Sequence, residues 1–146
     1  MTLENLLGSA LEKIPLDATN IHRLLVAASR SLADAQLAQM SSEGRFDMAY
    51  KSIMQAANAA LQSRGFRTLT SKPGHHVTMI QSLTITVGVD RQFMITLDGL
   101  RKLRNLSDYS GDPVSESMAV EAVAHAKRLL AEVESWVADN SSFDSL

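Results

Sequence analysis

Leu3, Leu7, Leu11 and Ile14 recur at helical intervals, and the pattern predicts a short amphipathic helix over residues 3 to 14 that Pro15 ends. Asp17 or Thr19 then caps a longer helix to about Met40, in which Ile21, Leu24, Leu25, Ala28, Leu32 and Ala35 repeat at i, i+3, i+4 and i+7. Ser41, Ser42 and Gly44 interrupt the pattern. It resumes from about Phe46 to Ser63, with Ala49, Ile53, Ala56, Ala57, Ala60 and Leu61 on one side and Gly65 placed to end the helix. At the other end of the chain, Ala119, Ala122, Val123, Ala126, Leu129, Leu130, Val133, Trp136 and Val137 form a nearly unbroken apolar face. Pro113 and Ser115 precede that helix, which runs from Glu116 to about Asp139.

Between these segments the pattern is mixed. Thr84 to Val89 alternates in β-branched residues as a strand would, but one strand alone has no partner. The expected reading is a loop over 65 to 73, a helix from about Gly74 to Leu83 or slightly beyond, a turn around Gly88 and Asp90, and a helix from about Arg91 to Ser107. Short connections between long amphipathic helices favour antiparallel neighbours. The fold expected is all-α, an up-and-down bundle of four main helices over residues 17 to 140, with residues 1 to 16 as a helical appendage and 141 to 146 as a flexible tail. In that tail, Phe143 and Leu146 suit either a docking peptide or a frayed terminus.

Composition adds few constraints. With 146 residues, one domain with one core suffices. The absence of cysteine excludes a disulfide framework and thiolate metal sites, and fits a reducing compartment. No apolar run approaches a membrane span, and the amino terminus lacks a basic start, so a cytoplasmic protein without a membrane partner is expected. The net charge of -2 conceals a division: residues 64 to 104 carry seven Lys or Arg against two acids, and residues 105 to 146 carry two against eight. Such a division marks either a face for polyanions or two segments that attract each other inside the fold.

Chemistry concentrates between Leu97 and Met118. At helical spacing Arg101, Arg104 and Asp108 share a face, with Asp98 three residues before Arg101 and four before Lys102. Arg104 and Asp108 equally suit a surface ion pair, and Tyr109 equally suits packing over the last turn. His75 and His76 project about 100° apart on a helix, a poor metal pair, and no acid or cysteine pattern supports a site, so neither metal nor cofactor is expected. His22 and His125 are isolated, and the internal methionines at 40, 48, 54, 79, 94 and 118 read as flexible core filling.

Three stretches, in order, resemble the HEPN superfamily of small helical-bundle proteins. Residues 43 to 66, EGRFDMAYKSIMQAANAALQSRGF, are similar to its second helix, GHH at 74 to 76 to the head of the third, and RNLSDYSGDPVSESMAVEAVAHAKRLL at 104 to 130 to its Arg-rich and closing helices. The likeness spans about residues 17 to 138. Catalytic members of that family are metal-independent ribonucleases with an Arg followed, after four to six intervening residues, by His. Here Arg104 is followed by Tyr109, Ser110 and Gly111, and no His lies between His76 and His125. Cutting RNA without a metal needs a group to move the 2'-hydroxyl proton and a cation for the charged phosphorane. Arg104 suits the second task. Asp108 and Tyr109, with ordinary pKa values of about 3.9 and about 10, are poor substitutes for imidazole.

The resemblance therefore implies an RNA- or nucleotide-binding protein of toxin-antitoxin or defence systems, with weak or no catalysis. Its site residues would be Arg104, Asp108 and Tyr109, with Arg101, Lys102, Asn105, His75 and His76 contributing to binding. It further implies a homodimer in which the two motif helices face each other and His75 or His76 supplies the missing base. A cognate antitoxin, or a nucleotidyltransferase acting on Tyr109, is the implied partner. The rival expectations are a metal-independent endoribonuclease at the dimer interface and a non-enzymatic docking module.

Overall fold

A computed structural model describes residues 2–71 and 74–140. A 3-10 turn at Glu4–Leu6 is followed by β1 Leu11–Lys13, α1 Ala18–Ala35, α2 Ser42–Ser63, β2 Phe66–Thr68, α3 His75–Gln81, α4 Leu83–Thr86, α5 Arg91–Ser110 and α6 Glu116–Asp139. The chain is mostly helical with one small two-stranded sheet. The carboxy-terminal tail, with Phe143 and Leu146, lies outside the described residues.

The alanine-rich α2 is the centre of the fold. Ala49, Ala56, Ala57, Ala59 and Ala60 are all buried, and their small side chains let α1 and α6 close on it from two sides. Ser52, inside this contact, donates from Oγ to the carbonyl of Ala28 at 2.8 Å, so the polar atom is satisfied rather than stranded. Tyr50, Phe46, Ile53 and Leu61 complete the inner face of α2, and Leu129 and Val133 of α6 meet them in the core. Asp17, Ser41, Asp90 and Ser115 each cap a long helix by accepting from the backbone N–H three residues on. Gly111, in the left-handed conformation at φ +74, closes α5 three residues beyond the expected Ser107, so Asp108 and Tyr109 ride on its last turn.

The amino-terminal segment corrects the expected helix. Gly8 turns the chain at φ +83, and Leu11, Glu12 and Lys13 pair antiparallel with Thr68, Arg67 and Phe66. The physical reason is that twelve residues interrupted by glycine cannot sustain a lone helix, while pairing satisfies the backbone of two segments at once. Leu3 and Leu11 are buried and Leu7 is exposed, a split that a common helical face would not give. The same pairing turns part of the expected 65 to 73 loop into a strand. Three further boundaries move: α1 ends at Ala35 rather than near Met40, α2 begins at Ser42 rather than Phe46 because Ser41 caps it, and the 74 to 83 helix divides at Ser82 into α3 and α4.

The long helices are not equally embedded. While α1, α2 and α6 pack on one another, α5 meets the rest chiefly through α3, and of its twenty residues only Phe93 and Leu97 are buried.

Candidate active site on the α2, α3 and α5 face

One stripe of α2 does not belong to the core. Asp47, Lys51, Met54 and Asn58 follow one another at helical spacing along one side of the helix, which, with His76 and Met79 of α3 and Arg104 of α5, lines a cavity of about 510 Å³. The Arg104 guanidinium lies over the Tyr50 ring, 4.9 Å from its centroid. Asp47 and Asp108 stand 3.9 and 3.8 Å from Arg104 Nε, within ion-pair range but too far to hydrogen-bond, and that Nε is buried without an acceptor. On the other side of the tyrosine, its Oη and His76 Nδ1 are 3.2 Å apart in hydrogen-bond contact, and the imidazole packs against the edge of His75 at 4.6 Å.

The electrostatics follow from partial burial. His76 is held below the ordinary histidine value by burial and, after that, by His75 and by the charges of Arg104 and Arg101. Burial raises the Tyr50 phenol, with Arg104 opposing, so both partners are neutral near pH 7. Burial also raises Asp47, against the pull of Arg104 and with Asp108 and Glu43 reinforcing it.

The expected site residues divide accordingly. Arg104 and His76 line the cavity, Asp108 stands at its edge as the partner of Arg104, and His75 touches it only through His76. Arg101 is turned to Asp98, its Nε donating at 2.7 Å, and Lys102 pairs with the same carboxylate at 3.7 Å. Tyr109 is 89% exposed, which excludes packing over the last turn, and Asn105 is likewise exposed. Asp47, Tyr50, Lys51, Gln55 and Asn58 also line the cavity, and the sequence had marked none of them as site members. The signal for Asp47 was the polar stripe at 47, 51 and 58, whereas Tyr50 reads as core and is buried. Among the described residues no group of three or more His, Asp or Glu is arranged to hold a metal ion.

The charge division is met in both ways. Arg67 pairs with Glu12 across the sheet and Arg101 and Lys102 share Asp98, whereas Arg64 lies over Trp136 at 5.8 Å, Arg104 stands near Asp108, and Arg128 pairs with Asp90, contacts that join residues 64 to 104 with residues 105 to 140. Among the described residues no helix is long and apolar enough to cross a membrane.

A search of curated proteins finds no match to the chain. The family model described as the HEPN domain matches residues 21–136, from the first turn of α1 to the last turns of α6. The match covers most of the chain and includes every helix that lines the cavity, and the protein belongs to the HEPN domain family.

Proposed function

We propose that this protein binds RNA or a nucleotide, with Arg104 holding a phosphate at the mouth of the α2, α3 and α5 cavity. The observation that carries this reading is the arginine itself: it is fixed over Tyr50, its Nε lacks an acceptor, and its two carboxylate neighbours stand beyond hydrogen-bond distance. A phosphate oxygen offers the guanidinium a shorter, charge-assisted bond than either carboxylate does. Lys51 lies on the same wall, and Lys102 and Asn105 are exposed on α5 where a longer strand would pass. Family membership supports a place in a toxin-antitoxin or defence system, in the cytoplasm, opposite a cognate antitoxin or a nucleotidyltransferase that uses the exposed Tyr109. Four long helices, α1, α2, α5 and α6, form the topology on which this reading sets the site, with α1 to α2 and α5 to α6 joined by short connections and α2 to α5 by a longer segment that carries β2, α3 and α4.

A second reading, metal-independent ribonuclease, is favoured by His76. Arg104 and a histidine that is neutral near pH 7 line one cavity of one protomer, so the base need not come from the position after the arginine that the sequence leaves without histidine. In that mechanism His76 takes the 2'-hydroxyl proton, the oxygen attacks the adjacent phosphorus, and Arg104 stabilises the phosphorane while the 5'-oxygen leaves with a proton from solvent.

The test is incubation of labelled total RNA with purified protein in EDTA, followed by gel shift at low salt, wild type beside Arg104→Ala and His76→Gln. Binding that weakens steeply with salt and is lost in Arg104→Ala is the expected result. Cleavage lost in both variants adds the nuclease reading. A protein that shifts no RNA at low salt overturns both.

A further inference from the structure

The end of the cavity away from Arg104 is built differently. Met54 and Met79 give it an apolar wall, and beyond Met54 along α2 stand two amides, Gln55 and Asn58. Eight residues, about 12 Å of helix, separate Asn58 from Tyr50. The cavity is therefore long enough to hold the phosphate and the base of a nucleotide at opposite ends.

Both amides are oriented from behind. Ser31 of α1 donates from Oγ to Gln55 Oε1 at 2.8 Å. Asn20 of α1 donates from Nδ2 to Gln62 Oε1, and Gln62 Nε2 in turn donates to Asn58 Oδ1 at 3.2 Å. In each case the carbonyl oxygen is engaged by the protein, and the amide nitrogen donates to no other described residue. Gln55 and Asn58 thus offer N–H donors, not acceptors, and the relay from α1 keeps them from turning over.

From this we infer that the cavity selects a nucleobase with a carbonyl-bearing edge, as uracil and guanine have, over one that presents an amino group there. The inference rests on the proposed phosphate role of Arg104 and adds the identity of the base. The flat ring lies against the methionines, whose polarisable thioethers fit an aromatic face, and its carbonyl oxygens accept from Gln55 Nε2 and Asn58 Nδ2. Cytosine in the same position sets its amino group against two further donors and leaves all of them unpaired.

Fluorescence anisotropy with the end-labelled oligoribonucleotides U8 and C8 tests this on the full chain, since the two bases differ on the edge in question. U8 is expected to bind at least about fivefold more tightly than C8. Gln55→Glu and Asn58→Asp each replace a donor with an acceptor at nearly constant shape, and each is expected to reduce or invert the preference. Ser31→Ala, which frees Gln55 to turn, is expected to narrow the preference while leaving U8 affinity within about twofold. Equal binding of U8 and C8 that Arg104→Ala abolishes overturns the base selection and leaves the phosphate reading standing. A preference for U8 that survives both Gln55→Glu and Asn58→Asp also overturns the assignment to these amides. Failure of both oligonucleotides to bind overturns the phosphate reading, and the base selection with it.

Discussion

Arg104 is held by an aromatic face and two distant carboxylates, so its position is fixed while its hydrogen-bonding capacity is not used up. Asp47 competes with any anion there, and it is half exposed, which limits the pair to the strength of a surface ion pair. Asp47→Asn is accordingly expected to tighten RNA binding by about 1.5- to 5-fold, read by anisotropy at low salt. His76 makes a second prediction at this scale. Its folded pKa lies below its unfolded one, so as pH falls the unfolded chain takes the proton first, and stability is lost as pH falls through the ordinary histidine range toward the folded value. Thermal melts stepped from about pH 7.5 to about pH 5 should show a larger loss in wild type than in His76→Gln, since His22, His75 and His125 are common to both. Equal losses would remove the partial burial of His76 from the account.

At the scale of the elements, the sheet between β1 and β2 decides how the amino terminus behaves. A helix over residues 3 to 14 would place Leu7 and Leu11 on one face and make their truncations similar. The strand buries Leu11 completely and leaves Leu7 exposed. Leu11→Ala is expected to cost about 2 to 5 kcal/mol and Leu7→Ala less than about 0.5 kcal/mol, measured as shifts of the urea midpoint at constant slope. The helix would have been the correct reading if local periodicity were the only term. The partner of β1 lies more than fifty residues away, and no window along the chain contains both strands. The bounds of α6 and the start of α5 were legible because their signals are local, Ser115 and Asp90 capping from the sequence itself. The start of α2 at Ser42 and the end of α5 at Ser110 lay beyond the expected Phe46 and Ser107, set by Ser41 as a cap and Gly111 as the left-handed residue.

At the scale of the whole molecule, α5 is the unfinished part. Ile95, Gly99, Lys102, Leu106 and Tyr109 follow one another at alternating four- and three-residue steps along an exposed face, and a Cβ added at Gly99 would meet nothing within 4 Å. A homodimer that pairs two α5 helices along this face would cover it, while Arg104, on the opposite side of α5, would keep its cavity toward α2 in each protomer. Leu106→Glu should then shift the protein from dimer to monomer in sedimentation velocity while changing the melting temperature of the monomer little, because Leu106 makes no part of the buried core. A wild-type chain that sediments as a monomer at high concentration would exclude this use of the face.

The sequence by itself determined the helical character of the chain, the extent of its last helix and the alanine face of α2, because each depends on periodicity, capping and propensity within a few turns. It also carried the family, through three short stretches in order, and singled out Arg104, which lines the cavity. Only the tertiary structure decided that His76 and Tyr50 stand with that arginine on one cavity, that Tyr109 is exposed, and that Ser31 engages the side-chain oxygen of Gln55. Those relations join residues on α1, α2, α3 and α5 that are 24 to 54 positions apart, and their distances are set by how the small side chains of α2 let its neighbours approach.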